Sequence, residues 1–355
     1  MKIPEKEFKI YSEERPKVLL LGNGLCRAYG GLSWDGLLDQ IKEKDKYPYD
    51  ARDYIMPMPL KAVMLTNNSL AKRIKRITEE SRNNDVNAKN ESISWDSFIK
   101  TTADMEERIK EVIMQGFDYV LTTNYSYEIE ASLLSRKALS KRQIEGMMNF
   151  HEVNNAQKKY LINTYNLVGL VPIWHIHGEA RKPHSMVIGS YYYGKILRQC
   201  VERLDGRVIA DTGKGKVNSG KEYEFKKNKK NKRPQKIGSW IDAFVLGDVY
   251  IIGFGLDFSE SDLWWLIEYK SNNSELCGKT VFYTPKSIRK DKCLIDTSVS
   301  CEKTQRYIDT VQCRNTLLTE AYNVEVKDCG VVIRDSSDYK RFYEKVIEDI
   351  KLLAK

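Results

Sequence analysis

The sequence predicts an α/β fold, a doubly wound parallel sheet with helices on both faces. Short and wholly apolar runs, Val18 to Leu21 and VYII within Asp248 to Ile252, have the composition of strands covered on both sides rather than the alternation of a half-exposed sheet. Each run passes at once into a G-x-G turn, Gly22 with Gly24 and Gly253 with Gly255, and then into a helical pattern. Strand, glycine turn, helix is the order of a Rossmann-like βα unit. The chain has 355 residues, 41% of them hydrophobic, which suffices for one large core. We read residues 1–355 as a single domain with a helical insertion at 36–116, a basic surface loop at 211–236 and a closing strand plus helix at 324–355.

The elements follow in order. The stretch KVLLLGNGLCRAYGGLSWDGLL, Lys17 to Leu38, turns a buried strand into a glycine bend and a helix. Gly22 and Gly24 let an anion approach the backbone and leave N–H groups pointing at it. Gly30 and Gly31 do not complete a G-x-G-x-x-G pattern, so the motif alone fits a tight bend as well as a phosphate cradle. Cys26 reads either as a reactive thiol at a helix N-terminus or as small-residue packing. Helical spacing begins at Trp34, Leu37, Leu38 and Ile41 and recurs to about Arg108, too long a crossover for a simple βαβ unit. The second strand is FDYVLTTNY, Phe117 to Tyr125, whose end brings Thr122, Thr123 and Asn124 to the crevice of the glycine turn. A helix starts near Ser126.

The third strand, LVGLVPIWHIHGEA from Leu167 to Ala180, alternates His175 and His177 around Ile176, which puts both imidazoles on one face. A metal pair is one reading, but no motif supplies a third ligand, and a general base is the reading adopted. SMVIG, Ser185 to Gly189, reads as a short strand, and YYYGKILRQCVERL as a helix. After the strand at Asp248 comes a helix that Ser259 or Ser261 can cap, with Glu260 and Asp262 at its positive end and Trp264, Trp265 and Ile267 in the core. KTVFYTP, Lys279 to Pro285, is a further strand. VEVKDCGVVIRD, Val324 to Asp335, holds the last, and the tail carries Phe342, Val346, Ile350 and Leu353 on one helical face.

Composition excludes some classes of function. No apolar run reaches the length of a membrane span and the N-terminal residues lack a secretory apolar core, so a cytoplasmic location is expected. The seven cysteines include no CxxC pair, which argues for free thiols and against a tetrathiolate metal centre. The net charge of +9 raises nucleic-acid binding, yet much of the excess sits in KKNKKNKR, Lys226 to Arg233, and a basic loop without a base-reading scaffold is more often just solvated, so nucleic acid is not the expected partner; an acidic partner is equally open.

Four signatures stand in fixed order at strand ends: GNGLCRAYGGLSWDGLL, LTTNYSYEIE, WHIHG and IIGFGLDFSESDL. Together they resemble the sirtuin-like NAD-consuming domains of bacterial phage-defence systems, among them Thoeris-type effectors and the sirtuin-like partners of HerA-type ATPases. AbiH-type abortive-infection proteins are a near relative, with a GNG turn, an N-Y strand end and a HIHG box. The resemblance spans Lys17 to Tyr283 and departs from sirtuin deacetylases in lacking the paired zinc cysteines, and at Ser126, where an Asp is usual. It implies a sirtuin-like fold with no zinc module and an NAD hydrolase that releases nicotinamide and ADP-ribose, with NAD as substrate and no metal. On this reading Gly22, Asn23 and Gly24 hold the pyrophosphate and adenosine, and Trp34, Thr123, Gly253, Gly255 and Asp262 complete the cofactor pocket. Asn124 orients the nicotinamide ribose and the attacking water, and His177 is the base, with His175 behind it. The resemblance also implies control by a homo-oligomer or a defence partner, such as a HerA-type ATPase or another sensor. The alternative is a catalytically silent subunit that binds NAD or ADP-ribose.

Overall fold

Why the apolar runs form one sheet is visible in their burial. In the computed structural model, Val18, Leu19, Leu20 and Leu21 are all 0% exposed, as only a strand covered on both faces can be. The structure describes residues 7–8, 15–31, 59–60, 62, 102–134, 149–151, 165–168, 171–179, 185–204, 210–211, 216–217, 235–237, 239–288 and 301–353. Trp34, most of the expected insertion at 36–116, the third strand's last expected residue Ala180 and the loop from Lys226 to Arg233 lie outside these residues.

Among the described residues the central sheet has eight strands: β1 Lys17–Leu21, β2 Tyr119–Thr122, β3 Asn149–His151, β4 Tyr165–Val168, β5 Val171–His175, β6 Asp248–Ile252, β7 Thr280–Tyr283 and β8 Glu325–Lys327. Their spatial order is β8-β7-β6-β1-β2-β5-β4-β3. The run from β8 to β5 is parallel throughout, whereas β4 pairs antiparallel with both of its neighbours. From β1 the chain goes first to β2 and β5 on one side and then to β6 and β7 on the other. This is the strand order of a doubly wound Rossmann-like sheet, and it reverses between β1 and β6.

Helices cover both faces because side chains alternate along each strand. Val18, Leu20, Leu121, Val249, Ile251 and Phe282 join a core with α4 (Ser190–Leu204), α5 (Trp240–Leu246) and α6 (Ser261–Asn272). Leu19, Leu21, Val120, Ile252 and Val281 join the opposite core with α1 (Asn23–Ala28), α2 (Ala103–Ile113), α3 (Glu128–Leu133) and α8 (Ser337–Leu353). Thr102 caps α2 by accepting from the Met105 N–H at 3.2 Å, and Ser239 caps α5 by accepting from the Asp242 N–H at 3.1 Å. A further helix, α7 (Cys301–Thr316), continues into a short π-helical turn at Leu317–Ala321. Among the described residues no helix is long and apolar enough to cross a membrane.

The structure differs from the sequence reading at several strands and helices. The strand expected from Leu167 to Ala180 is two antiparallel strands, with Val168 opposite Val171. Ser185 to Gly189 is buried but takes no part in a strand, because its backbone bond runs to the turn after β5, from Val187 N–H to the His177 carbonyl at 2.7 Å. The last expected strand is also two: β8 extends the sheet, and Val332–Ile333 pairs with Ser287–Ile288. Helix α5 was not foreseen, since WIDAFVL is apolar at nearly every position and carries no period.

Candidate functional site

The candidate site lies beyond the carboxyl ends of β1 and β6, where the strand order reverses and where open α/β sheets bind their ligands. Its wall is two glycine turns locked together. Gly22 N–H donates to the Ile252 carbonyl at 2.9 Å, and Gly24 N–H donates to the Gly253 carbonyl at 2.5 Å. A β-carbon at Gly22 would stand 2.5 Å from that same Gly253 oxygen, and one at Gly24 would strike the Tyr343 hydroxyl and lie 2.7 Å from the Gly253 oxygen. Gly253 itself has φ +65, a conformation that disfavours any other residue. These glycines are therefore required by close packing of one turn on the other. The expectation that Gly22 and Gly24 leave free N–H groups is corrected: both are satisfied by backbone carbonyls. Asn23 begins the six-residue α1, and Gly255 is exposed with open space where a β-carbon would be. Arg314, 7% exposed, donates to the Gly255 carbonyl and to Thr284 Oγ1, which pins the second turn.

Asn124 stands just past β2, next to the glycine-turn helix. Thr122 Oγ1 donates to the Leu21 carbonyl at 2.7 Å and accepts from Asn124 N–H at 3.1 Å, tying the two strand ends. The Asn124 amide donates to Cys26 Sγ at 3.8 Å, a weak acceptor that a ligand oxygen can replace. Thr123 beside it is half-buried. Cys26 is wholly buried, and desolvation holds its thiol well above the ordinary range, which decides for packing over reactivity. The Asn124 carbonyl accepts from His175 Nδ1 at 2.7 Å, while His175 Nε2 meets Glu130 Oε1 at 2.8 Å. Asn166 donates to the same Glu130 oxygen at 2.8 Å, and Tyr127 donates to Glu179 at 3.0 Å. With an acceptor at each ring nitrogen, His175 is an imidazolium. Burial lowers its pKa, but Glu130 more than reverses that and brings it to about 9.

His177 belongs to a different cluster. Strand β5 ends at His175, the Gly178 N–H bonds back to the His175 carbonyl at 2.9 Å, and Gly178 at φ +93 reverses the chain. This turn corrects the expectation that both imidazoles share a face: His175 pairs with α3 and His177 with α6, helices on opposite sides of the sheet. His177 Nε2 lies 3.0 Å from Asp262 Oδ2, and Nδ1 lies 3.7 Å from Glu260 Oε2. A carboxylate only accepts, so Nε2 carries the proton and Nδ1 faces Glu260. Tyr193 donates to Glu260 Oε2 at 3.0 Å, with its ring edge-on to His177. Burial lowers the His177 pKa, yet Asp262 and Glu260 raise it above the ordinary histidine value. Burial lifts Glu260 to about 7, against the pull of His177 and with help from Asp262. Neither Ser259 nor Ser261 caps α6: Glu260 is the N-cap residue, without a side-chain cap bond. Ile267 is core, and Trp264 and Trp265 pack partly buried against it, as expected.

No known family model matches this chain, and no curated protein does either. The site therefore speaks through its own geometry. Asp262 meets His177, the two glycine turns meet each other, and Asn124 meets the first turn through Cys26. Asn124 and His177 sit in separate hydrogen-bond clusters, joined through backbone: Tyr125 donates to the Val187 carbonyl at 3.0 Å, and Val187 donates to His177. Sequence reasoning missed Glu260 as the neighbour of Nδ1, Tyr193 as its anchor and Glu130 as the partner of His175. Glu260-x-Asp262 was visible at a helix start, but nothing in the sequence says which distant histidine it meets.

Proposed function

We propose that the chain is an NAD+ hydrolase that cleaves the nicotinamide N-glycosidic bond to give nicotinamide and ADP-ribose, and that it serves bacterial antiphage defence by depleting NAD. The observation behind this reading is that two interlocked glycine turns, the strand-end Asn124 and the carboxylate-held His177 all follow carboxyl ends of parallel strands at one edge of the sheet. Ligands of open α/β sheets bind at this reversal of strand order. Loss of nicotinamide builds positive charge on the ribose and needs a group to take a proton from the attacking water. Asp262 fixes the His177 tautomer, so Nδ1 is the nitrogen that receives the proton, with Glu260 next in line. The Asn124 amide turns from sulfur to the ribose hydroxyls, and the glycine turns, with Thr123 and Gly255 at their rim, contact the pyrophosphate.

A turnover assay tests this. Purified chain should release nicotinamide from NAD+, and His177→Ala should lose about 10²- to 10⁴-fold in rate, as expected for removal of a general base. Asn124→Ala should lose rate with less effect on the pH profile. Undiminished turnover in both variants overturns the assignment. A second reading, a silent subunit that binds NAD or ADP-ribose, is favoured by one observation: Asn124 and His177 lie in separate hydrogen-bond clusters, one with Cys26 and the other with Asp262. Calorimetric binding without turnover at any protein concentration decides for it.

A further inference from the structure

We propose that His177, Asp262 and Glu260 form a binding site for a divalent transition-metal ion of the Mn2+ or Zn2+ class. One ligand atom from each of the three lies within 4.8 Å of the others. His177 Nε2 and Asp262 Oδ2 are 3.0 Å apart, so an ion that displaces the proton between them finds two adjacent donors, each about 2.1 Å away.

A second, independent observation points the same way. Asp262 is 0% exposed, and its Oδ1 has no hydrogen-bond partner among the described residues. A buried carboxylate oxygen without a donor carries the desolvation cost of an unsatisfied charged group, and a cation is the ligand that removes it. The donor set narrows the ion. Mg2+ and Ca2+ prefer oxygen alone, whereas one imidazole with two carboxylates suits Mn2+, Zn2+ or their neighbours. The framework is firm: Asp262 lies in the first turn of the 12-residue α6, Glu260 is its N-cap residue, and His177 is held by the Gly178 turn. The side chains of His177 and Asp262 are 2% and 0% exposed but that of Glu260 is 14%, so the ion enters past Glu260.

This inference stands on geometry and goes beyond the NAD reading. Where both hold, ion and proton compete for one imidazole, and metal occupancy silences turnover by withdrawing the base.

The test uses the full chain, stripped with chelator and titrated with MnCl2 or ZnCl2 in the absence of NAD. One ion per chain should bind at submillimolar concentration and raise the thermal midpoint. Pulsed electron paramagnetic resonance of the Mn2+ form should show coupling to an imidazole nitrogen. Asp262→Asn and Glu260→Gln should each weaken binding by about tenfold or more. No binding of either ion, binding unchanged in a folded Asp262→Asn variant, or a Mn2+ signal without nitrogen coupling overturns the proposal. If Asp262→Asn fails to fold, Glu260→Gln at the more open rim decides by the same criterion. Turnover without metal binding refutes the metal site alone; metal binding by a chain that shows no turnover even when stripped of metal supports the site and counts only against the NAD assignment.

Discussion

At the scale of single residues, glycines carry the sharpest predictions, and for different reasons. Gly178 combines φ +93 with a β-carbon position that collides with the Ser185 backbone. Gly178→Ala should cost about 1–3 kcal/mol in backbone strain and a similar amount in overpacking, read as a lower urea midpoint with an unchanged slope. Gly255 has no positive φ and, among the described residues, no close neighbour, so Gly255→Ala should leave stability within about 0.5 kcal/mol and serves as the control. The sequence reading placed Gly255 in the cofactor pocket and gave Gly178 no role. What separates them is which backbone lies opposite, a fact of tertiary packing that no local pattern holds. His175 and His177 teach the same lesson: alternation predicts a shared face only while the strand lasts, and the strand stops between them.

The elements were more legible than their edges. Runs such as VLLL and DVYII announced buried strands because full burial leaves a composition signal, and the amphipathic tail announced α8 through Phe342, Val346 and Ile350, each 0–2% exposed. Helix α5 stayed hidden for the opposite reason: with Trp240 to Leu246 all buried, there is no polar face to reveal a period. Its anchors are polar groups that look ordinary in sequence. Ser239 accepts from Asp242 N–H, and Arg203 of α4 donates to both Asp242 oxygens, at 2.9 and 2.6 Å. Ser239→Ala should therefore cost about 1 kcal/mol as a lost cap. Arg203→Met should cost more, about 1.5–3 kcal/mol, because it removes two charge-assisted bonds from the 0%-exposed Asp242 carboxylate. Chemical denaturation of the two variants, compared with Arg198→Met on the exposed Arg198–Glu202 pair as a near-neutral reference, checks the order.

Across the whole molecule, the two ends of the sheet do different work. Opposite the crevice, Lys270 is 4% exposed and its ammonium donates to the carbonyls of Phe244, Gly247 and Lys279 at 2.9, 2.9 and 3.1 Å, so it clasps α5 to the entries of β6 and β7. Arg15 adds bonds to the Leu246 and Leu276 carbonyls at 3.3 and 2.9 Å. Burial pushes the Lys270 pKa down from 10.5 to about 7. Between these values the unfolded chain holds a proton that the folded one has released, so stability should rise with pH across this window, and the penalty is fully present below about 7. Unfolding measured from pH 6 to pH 10 should show that slope in the wild type, and Lys270→Met should flatten it while lowering stability overall; an identical slope in both removes Lys270 as its source. The doubly wound architecture was readable from two strand-turn units. The placing of β6 against β1 was not, because strand pairing depends on the whole topology.

The interlocked glycine turns have a consequence for the order of events at birth. The carbonyls that receive the Gly22 and Gly24 N–H groups belong to Ile252 and Gly253, and the carboxylate that holds His177 belongs to Asp262. A nascent chain on the ribosome has made its first turn, its asparagine and both histidines long before it has made any of these. Contacts so distant in sequence close late. The crevice is thus sealed from within by the second half of the protein, and a chain cut short before β6 carries every early motif yet no assembled site.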